Sequence, residues 1–465
     1  MNEQAAAIST AAVPKPADSH SWPSPAKAWY GVGVFTVTLL VLFTNSGVIN
    51  LLAQPIKRDL QLTDVETSLI IGFAAAFFNA LFMLPVSRLV DIISRRLIIG
   101  FGLLMASVAS FFSGLSGTFL QLFMARLVGG IGGSGNGPAT FSILADYFPA
   151  AKLPKALAVL NIGFIYAIAA STLLGGTLIA AVSAMSSLSL PLIGEVRPWQ
   201  AVFLVMAVPD LLLALLMFTT VHEPKRRGVR AMAAEGMAVV PRPKVVPVRD
   251  VFKFLYDNRR AFGPMFAGLA LNSLALGGAG AWTAPFFERT YGWGPAQYGI
   301  IQGFVLLLIA PIGLIAGGML AERLAKRGYD DANMRVVFIA SLLHLPFAML
   351  YALMPNPHLA IALSAANIAT ISIGTGPQNA ALQVIVPNEM RGQITALFLF
   401  CFTMIGLGIA PTLVAALTQY VFGEESMLRY SIASIHILLG PLATIIFWYG
   451  LKAYGQAFAR ARAWH

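Results

Sequence analysis

Charge is what this sequence has least of. Asp, Glu, Lys and Arg make up 11% of the chain, where a soluble domain carries roughly a quarter. Its surface is therefore expected to meet lipid over most of its area. Cysteine is almost absent too. A single copy, Cys401, excludes an internal disulfide framework, and its apolar surroundings suit a small packed side chain better than a reactive thiol. Residues 1–24 are rich in Ala, Pro and Ser and lack the basic start, short apolar core and cleavage site of a signal peptide, so a disordered cytoplasmic tail is expected. No Gly-x-x-x-x-Gly-Lys-Ser/Thr loop is present, which argues against ATP-driven transport. Nor is there a metal-ligand cluster, a nucleophile–base pair or a set of paired acids, so neither an enzyme nor a cofactor or metal is expected.

What the chain does have is long apolar runs, 57% of it being hydrophobic. A membrane helix needs about 20 mostly apolar residues. Twelve segments meet that need, near 30–53, 67–86, 97–115, 119–143, 156–182 and 199–221, then 262–287, 298–320, 335–354, 359–384, 394–421 and 430–451. Segments this long span lipid as helices. The expected fold is an all-α integral membrane protein of twelve transmembrane helices in two six-helix, pseudo-symmetric halves.

The formal net charge of +11 suggests nucleic acid until its distribution is followed. Only Lys57, Arg58, Arg197, Arg289 and Arg429 fall in loops on one side, and Arg126 lies within a span; the other 25 of the 31 Lys and Arg fall on the side of both termini. Basic loops stay inside, so both termini are expected in the cytoplasm, with a bacterial inner membrane as the location. The charge reads as topology and as attraction to anionic lipid, and no nucleic-acid partner is expected. The division is then a tail at 1–29, a six-helix half at 30–221, a cytoplasmic linker at 222–260, a second half at 261–451 and a tail at 452–465, acting as a monomer. The end of the linker sets Phe252, Leu255 and Tyr256 on one helical face beside Lys253, Arg259 and Arg260, which suits a helix on the membrane surface or a plain solvated linker.

The halves echo each other. The loop after helix 2 reads Ser87-x-x-x-Asp91-Ile92-x-Ser94-Arg95-Arg96, and that after helix 8 reads Gly318-x-x-x-Glu322-Arg323-x-x-Lys326-Arg327. Tyr147-Phe-Pro149 after helix 4 is matched by Ile385-Val-Pro387 after helix 10. Parallel six-helix repeats place a substrate between them near mid-membrane. In helix 4, Arg126 is followed by Gly130, Gly132, Gly133, Gly135 and Gly137. No strand precedes these glycines, so they read as a helix face admitting another backbone rather than as a phosphate loop. A guanidinium at that depth is expected to face a partner or a ligand.

Together these residues resemble the major facilitator superfamily: the small-x-x-x-acid-x-x-x-Arg-Arg loop its signature loop, and Arg126-x-x-x-Gly130-x-Gly132 its helix 4 motif. Gln54-Pro-Ile-Lys57, Leu144-Ala-Asp146-Tyr-Phe-Pro149, Asn161-Ile-Gly163 and Val386-Pro387-x-x-Met390-Arg391 resemble the Spinster-like branch, whose studied members move lipid-like molecules with one polar head. The resemblance implies alternating access. It also implies that Asp91, Arg95 and Arg96, with Glu322, Arg323 and Arg327, form a cytoplasmic gate. Departures fall where that branch carries acids expected to couple protons: Asn45-Ser46 stands for its helix 1 Asp-Arg pair, and Gly133 for its helix 4 Glu.

Candidate substrate contacts are Arg126, the amides Asn45, Asn136, Gln302 and Asn379, and the aromatic walls Tyr166 and Trp282. Arg matches carboxylate and phosphate heads, so the expected cargo is a small amphipathic organic anion. A neutral or cationic hydrophobic load is the alternative, as is facilitative uniport. Asp210, following Pro209 in helix 6, is the candidate for proton coupling.

Overall fold

The computed structural model describes residues 22–149, 152–184, 188–190, 194–224, 226 and 246–461. Span 1 is the helix Pro25–Leu60. Span 2 runs through Asp64–Ser68, a π-helical stretch Leu69–Phe73 and Ala74–Ile92, and span 3 is Arg95–Gly114. Span 4 comprises Phe119–Gly133 and Asn136–Tyr147, span 5 is Leu153–Ser183 and span 6 is Pro198–Thr219. The second half has span 7 (Arg259–Tyr291), span 8 (Pro295–Lys326), span 9 (Ala332–Leu350) and span 10 (Pro357–Val384). Span 11 joins Asn388–Phe402 and Ala410–Ala416 through π-helical Thr403–Ile409 and continues as π-helical Leu417–Phe422; span 12 is Leu428–Ala461. Among the described residues, eleven of these crossings are long and apolar enough as continuous helices. The twelfth, span 4, is broken at Ser134–Gly135. Pro138 has no N–H to return to the Ser134 carbonyl, and it sits in the first turn of the new segment, where no such bond is needed.

Helix ends follow local chemistry. Thr63 accepts the Glu66 N–H while the Glu66 carboxylate accepts the Thr63 N–H at 2.8 Å, a capping box that starts span 2. Gly292, at φ 72°, stops span 7 in a left-handed turn.

The packing pattern repeats between the halves. Span 1 packs on spans 5 and 6, span 3 on spans 4 and 6, and span 2 on span 4; likewise span 7 packs on spans 11 and 12, span 9 on spans 10 and 12, and span 8 on span 10. Between the halves span 5 meets span 8 and span 2 meets span 11, one contact seen twice under exchange of the halves, and span 1 meets span 7. Small residues make these meetings close. A Cβ added at Gly303 of span 8 would lie 2.6 Å from the Leu173 backbone of span 5, and one at Gly72 of span 2 would lie 2.6 Å from the Leu407 carbonyl of span 11. The glycines after Arg126 work the same way within the first half. A Cβ at Gly130 would lie 2.3 Å from the Ala75 carbonyl of span 2, and one at Gly132 would lie 2.7 Å from the Gly102 carbonyl of span 3.

The apolar cores show where the halves join. One cluster, at the face opposite both chain ends (the distal face), draws on both halves: Ile49, Leu52, Ile56 and Phe203 pack with Phe286, Phe287, Tyr298 and Ile432. At the face of the chain ends the clusters are separate. One holds Phe35, Ile99, Tyr147 and Met217 of the first half, and the other holds Phe262, Ile394, Phe447 and Tyr454 of the second. The halves are therefore sealed at the distal face and parted at the other.

The helix Val248–Asp257 precedes span 7. Val251 is buried, and Phe254 meets Phe262 edge-on at 5.7 Å. Phe252 and Tyr256 point outward, 57% and 66% exposed. The sequence pattern puts Leu255 with them, but the structure tucks Leu255 partly against the second-half core, because the docked face is the one carrying Val251 and Phe254.

Candidate substrate site and gates

Buried cations separate Arg126 from its peers. Arg95 and Lys57, 1% and 7% exposed, each pair with carboxylates. Arg126 is 8% exposed, its Nε is buried without a hydrogen-bond partner, and no ion pair reaches it among the described residues. It lies seven residues into span 4, about 10 Å below the distal end at 1.5 Å per residue. At Gly133, where the related branch carries an acid, a Cβ would fall 2.9 Å from the Asn79 amide nitrogen of span 2. Asn79 thus sits where an internal carboxylate partner would have to reach.

The other expected contacts do not gather around Arg126. Asn45 donates its amide to Asp210 across spans 1 and 6, and Asp210 is fully buried. The Asn45 Oδ1 and the Asp210 Oδ1 are both left buried without a donor. Gln302 donates to the Ser364 hydroxyl at 3.3 Å, tying span 8 to span 10. Trp282, expected as a cleft wall, is instead fully buried and gives its indole N–H to the Pro411 carbonyl at 2.8 Å. In this conformation these three side chains serve as inter-span ties, since a buried polar group takes whatever partner packing supplies. Asn136 sits against Gly102 of span 3 with neither amide atom partnered. Tyr166 is 44% exposed, and Asn379 is exposed.

The expected cytoplasmic gate is taken up within each half. The Arg95 guanidinium reaches Asp146 at the end of span 4, the Ser142 carbonyl at 3.1 Å, Glu223 at 2.9 Å and the Pro224 carbonyl at 3.0 Å. The backbone N–H of Arg96 donates to Glu223 at 2.8 Å, and its guanidinium to the Val221 carbonyl at 3.2 Å. Glu322 pairs with Lys326 on its own helix at 2.6 Å, while Arg323 and Arg327 are exposed. The Asp91 side chain lies outside the described residues. Among those described, no ion pair joins the halves at this face, which agrees with their separate cores.

Glu223 escaped the sequence reading because it lies past the end of span 6, where hydropathy says only "loop". Burial raises its carboxyl pKa, but the Arg96 N–H, the Arg95 guanidinium and the Ser94 hydroxyl outweigh burial and hold it below 4.5. A depressed carboxylate contributes stability above its unfolded pKa and loses it as pH falls through the folded one. Glu223→Gln should therefore lower the melting temperature at pH 7, and the wild-type and variant curves should converge as pH drops below 4.5. Equal melting at pH 7 would show that the carboxylate ties nothing down.

The distal seal is the second feature that sequence reading missed. Asp64, buried in span 2, accepts the Lys57 ammonium at 2.6 Å and both arms of the Arg289 guanidinium at 2.7 and 3.0 Å. Arg289 also donates to Gln54 at 2.9 Å and lies 5.4 Å over the Trp282 ring. Lys57 reaches Glu425 at 2.5 Å, and Arg58 reaches Glu288 at 2.8 Å. Each of these groups links one half to the other through partners more than 200 residues apart. The available signal was the convergence of acids and bases at the short distal loops, in a chain with few distal charges.

The sequence pattern of the Major Facilitator Superfamily matches residues 34–411. The chain is 28% identical over 403 residues to an MFS-type efflux pump of Mycolicibacterium smegmatis, covering 87% of this chain and 86% of that one. It is 21% identical to the uncharacterized transporter YybO of Bacillus subtilis, over 89% and 92% of the two chains. Its fold is similar to a bacterial homolog of the human lysosomal transporter Spinster, captured inward-facing and unoccupied. The TM-score is 0.77 at 21% identity, covering 94% of this chain and 99% of that one.

Proposed function

This chain belongs to the major facilitator superfamily and is a multi-pass membrane transporter, and on that footing we propose that it carries a small amphipathic organic anion by alternating access. The observation that carries the reading is Arg126, buried in a span with no carboxylate beside it among the described residues. A guanidinium keeps its charge, and an uncompensated one at membrane depth costs about 2.5 to 3.5 kcal/mol on insertion scales. A bound anion offsets that cost. With both termini in the cytoplasm, the parted face opens inward, and the distal seal breaks when the halves rock.

Asp210 is the proposed coupling group. Two buried acceptors, Asn45 Oδ1 and Asp210 Oδ1, lack a donor. One proton on the carboxyl supplies it, turning the single bond between spans 1 and 6 into a closed acid–amide pair. The charged groups of spans 1, 3 and 5, which pack around span 6, stand at the ends of those helices and away from this pair. The test is transport in proteoliposomes of octanesulfonate, a permanent anion, against its neutral counterpart octanesulfonamide. Octanesulfonate should move selectively and faster with a pH gradient. Asp210→Asn should abolish the acceleration and leave counterflow exchange intact. Equal handling of the two compounds by the wild type would sink the anion reading, and gradient-driven transport surviving in Asp210→Asn would remove Asp210 from the mechanism.

A further inference from the structure

The distal seal borders an open cleft of about 470 Å³, lined by Gln54, Lys57, Arg58, Arg289, Glu425 and Ser426 among others. Its composition is unusual for this chain. Of the five Lys and Arg at the distal face, three line this one cleft. They are not equally committed. Lys57 and Arg289 are held from below by Asp64, whose side chain is 3% exposed. Arg58 is 63% exposed and holds Glu288. From above, the one acid lining the cleft among the described residues is Glu425, 56% exposed, 2.5 Å from Lys57 and 3.7 Å from Arg289.

Glu425 stands on the three-residue 3-10 turn Glu425–Met427, which follows the left-handed Gly423 and has no buried residue. Such a turn holds its side chains loosely. Its carboxylate therefore acts as a tethered anion, resting in a pocket whose walls are basic and amidic. If it leaves, Lys57, Arg58 and Arg289 face Asp64 and Glu288 alone, and the cleft keeps one positive charge in excess.

Resting on the anion reading above, we infer that the distal cleft is a second anion site, where the carboxylate or sulfonate head of an amphipathic molecule displaces Glu425 from Lys57 and Arg289. This site is weaker than the one at Arg126, because its ligand must compete with a resident carboxylate whereas Arg126 has none. It lies at the junction of the halves, where cargo enters or leaves when the seal opens. The same head-group chemistry belongs to a free solute and to an anionic lipid, and the membrane composition separates the two sources.

The test is calorimetric titration of octanesulfonate into the full-length chain in phosphatidylcholine nanodiscs. Wild type should show two sites and Arg126→Gln only the weaker one. In the Arg126→Gln background, Glu425→Gln should tighten that remaining site about fivefold, the scale set by an ion pair of roughly 1 kcal/mol. Arg58→Gln should weaken it, and octanesulfonamide should not bind. Loss of the remaining heat when phosphatidylglycerol is included identifies a lipid as the occupant of the same site. If wild type binds octanesulfonate but Arg126→Gln binds none, the distal site is overturned and the central reading stands. An unchanged affinity in Glu425→Gln overturns the displacement step. If wild type itself prefers octanesulfonamide, the anion reading fails, and the distal inference fails with it.

Discussion

Arg126→Gln should remove the tighter octanesulfonate site while leaving the protein at least as stable as wild type. A hydrogen-bonded contact to a charged group contributes roughly 1.5 to 3 kcal/mol, so the loss should be about tenfold to a hundredfold. Stability should not fall, because the arginine makes no ion pair among the described residues and its buried Nε has no partner to lose. Arg126→Lys separates charge from shape. It keeps the positive charge but loses the planar fork, so affinity should be intermediate and the preference for the anion retained. Gly133→Glu supplies the carboxylate this chain lacks. The new side chain must first push aside the Asn79 amide, 2.9 Å from where its Cβ would lie, and that amide is the end of a side chain rather than backbone. Once placed, the glutamate competes with the cargo for the guanidinium. Calorimetry on the four proteins in nanodiscs decides the matter. Unchanged affinity in Arg126→Gln, with unfolding at lower temperature, would make the arginine a structural element.

Arg289→Gln should swing the population from distal-sealed to distal-open. In the sealed form the guanidinium grips Asp64 with two N–H groups and Gln54 with a third, all across the junction of the halves. Glutamine cannot reproduce that fork, so Asp64 is left with Lys57 alone in a buried setting. Removing one member of a buried pair costs on the order of 3 to 5 kcal/mol. The cost falls on the sealed form, because in the open form water reaches these groups. A differential of that size moves a two-state ratio by more than a hundredfold. Spin labels at Glu195, in the short strand Gly194–Val196 that precedes span 6 and pairs antiparallel with Leu188–Leu190, and at Tyr420, 71% exposed at the end of span 11, report the distance between halves. In a Cys401→Ser background the variant should show a longer main distance than wild type. Identical distributions would mean that apolar packing alone holds the seal.

How much of the site was legible is clearest from Arg126 and Trp282. Arg126 stood out because a charge inside an apolar run violates the solvent preference of its surroundings, and that violation needs no coordinates to see. Trp282 gave no such signal. An aromatic residue in a span suits a cleft wall, a lipid face or a core equally well, and here it packs beneath Arg289 with its N–H on Pro411. Asn45 and Asp210 were each visible as polar residues in apolar helices. Their meeting, 165 positions apart, was not.

The sequence by itself determined the spans, the two-fold repeat and the close helix approaches, because these depend on local properties: apolar length, loop charge and runs of glycine. The family resemblance was local too, resting on the spacing around Asp91 and Arg126. Tertiary structure alone decided which charges face each other. Lys57, Asp64, Arg289 and Glu425 are unremarkable helix-end and turn residues until spans 1, 2 and 7 and the turn after span 11 converge. The expected gate residues Arg95 and Arg96 turned out to be engaged by Glu223 within their own half. The physical reason is that hydropathy and helix length are properties of one segment and are the same whether the halves are open or closed. An ion pair depends on the relative placement of two segments, and rocking the halves changes that placement without changing any helix.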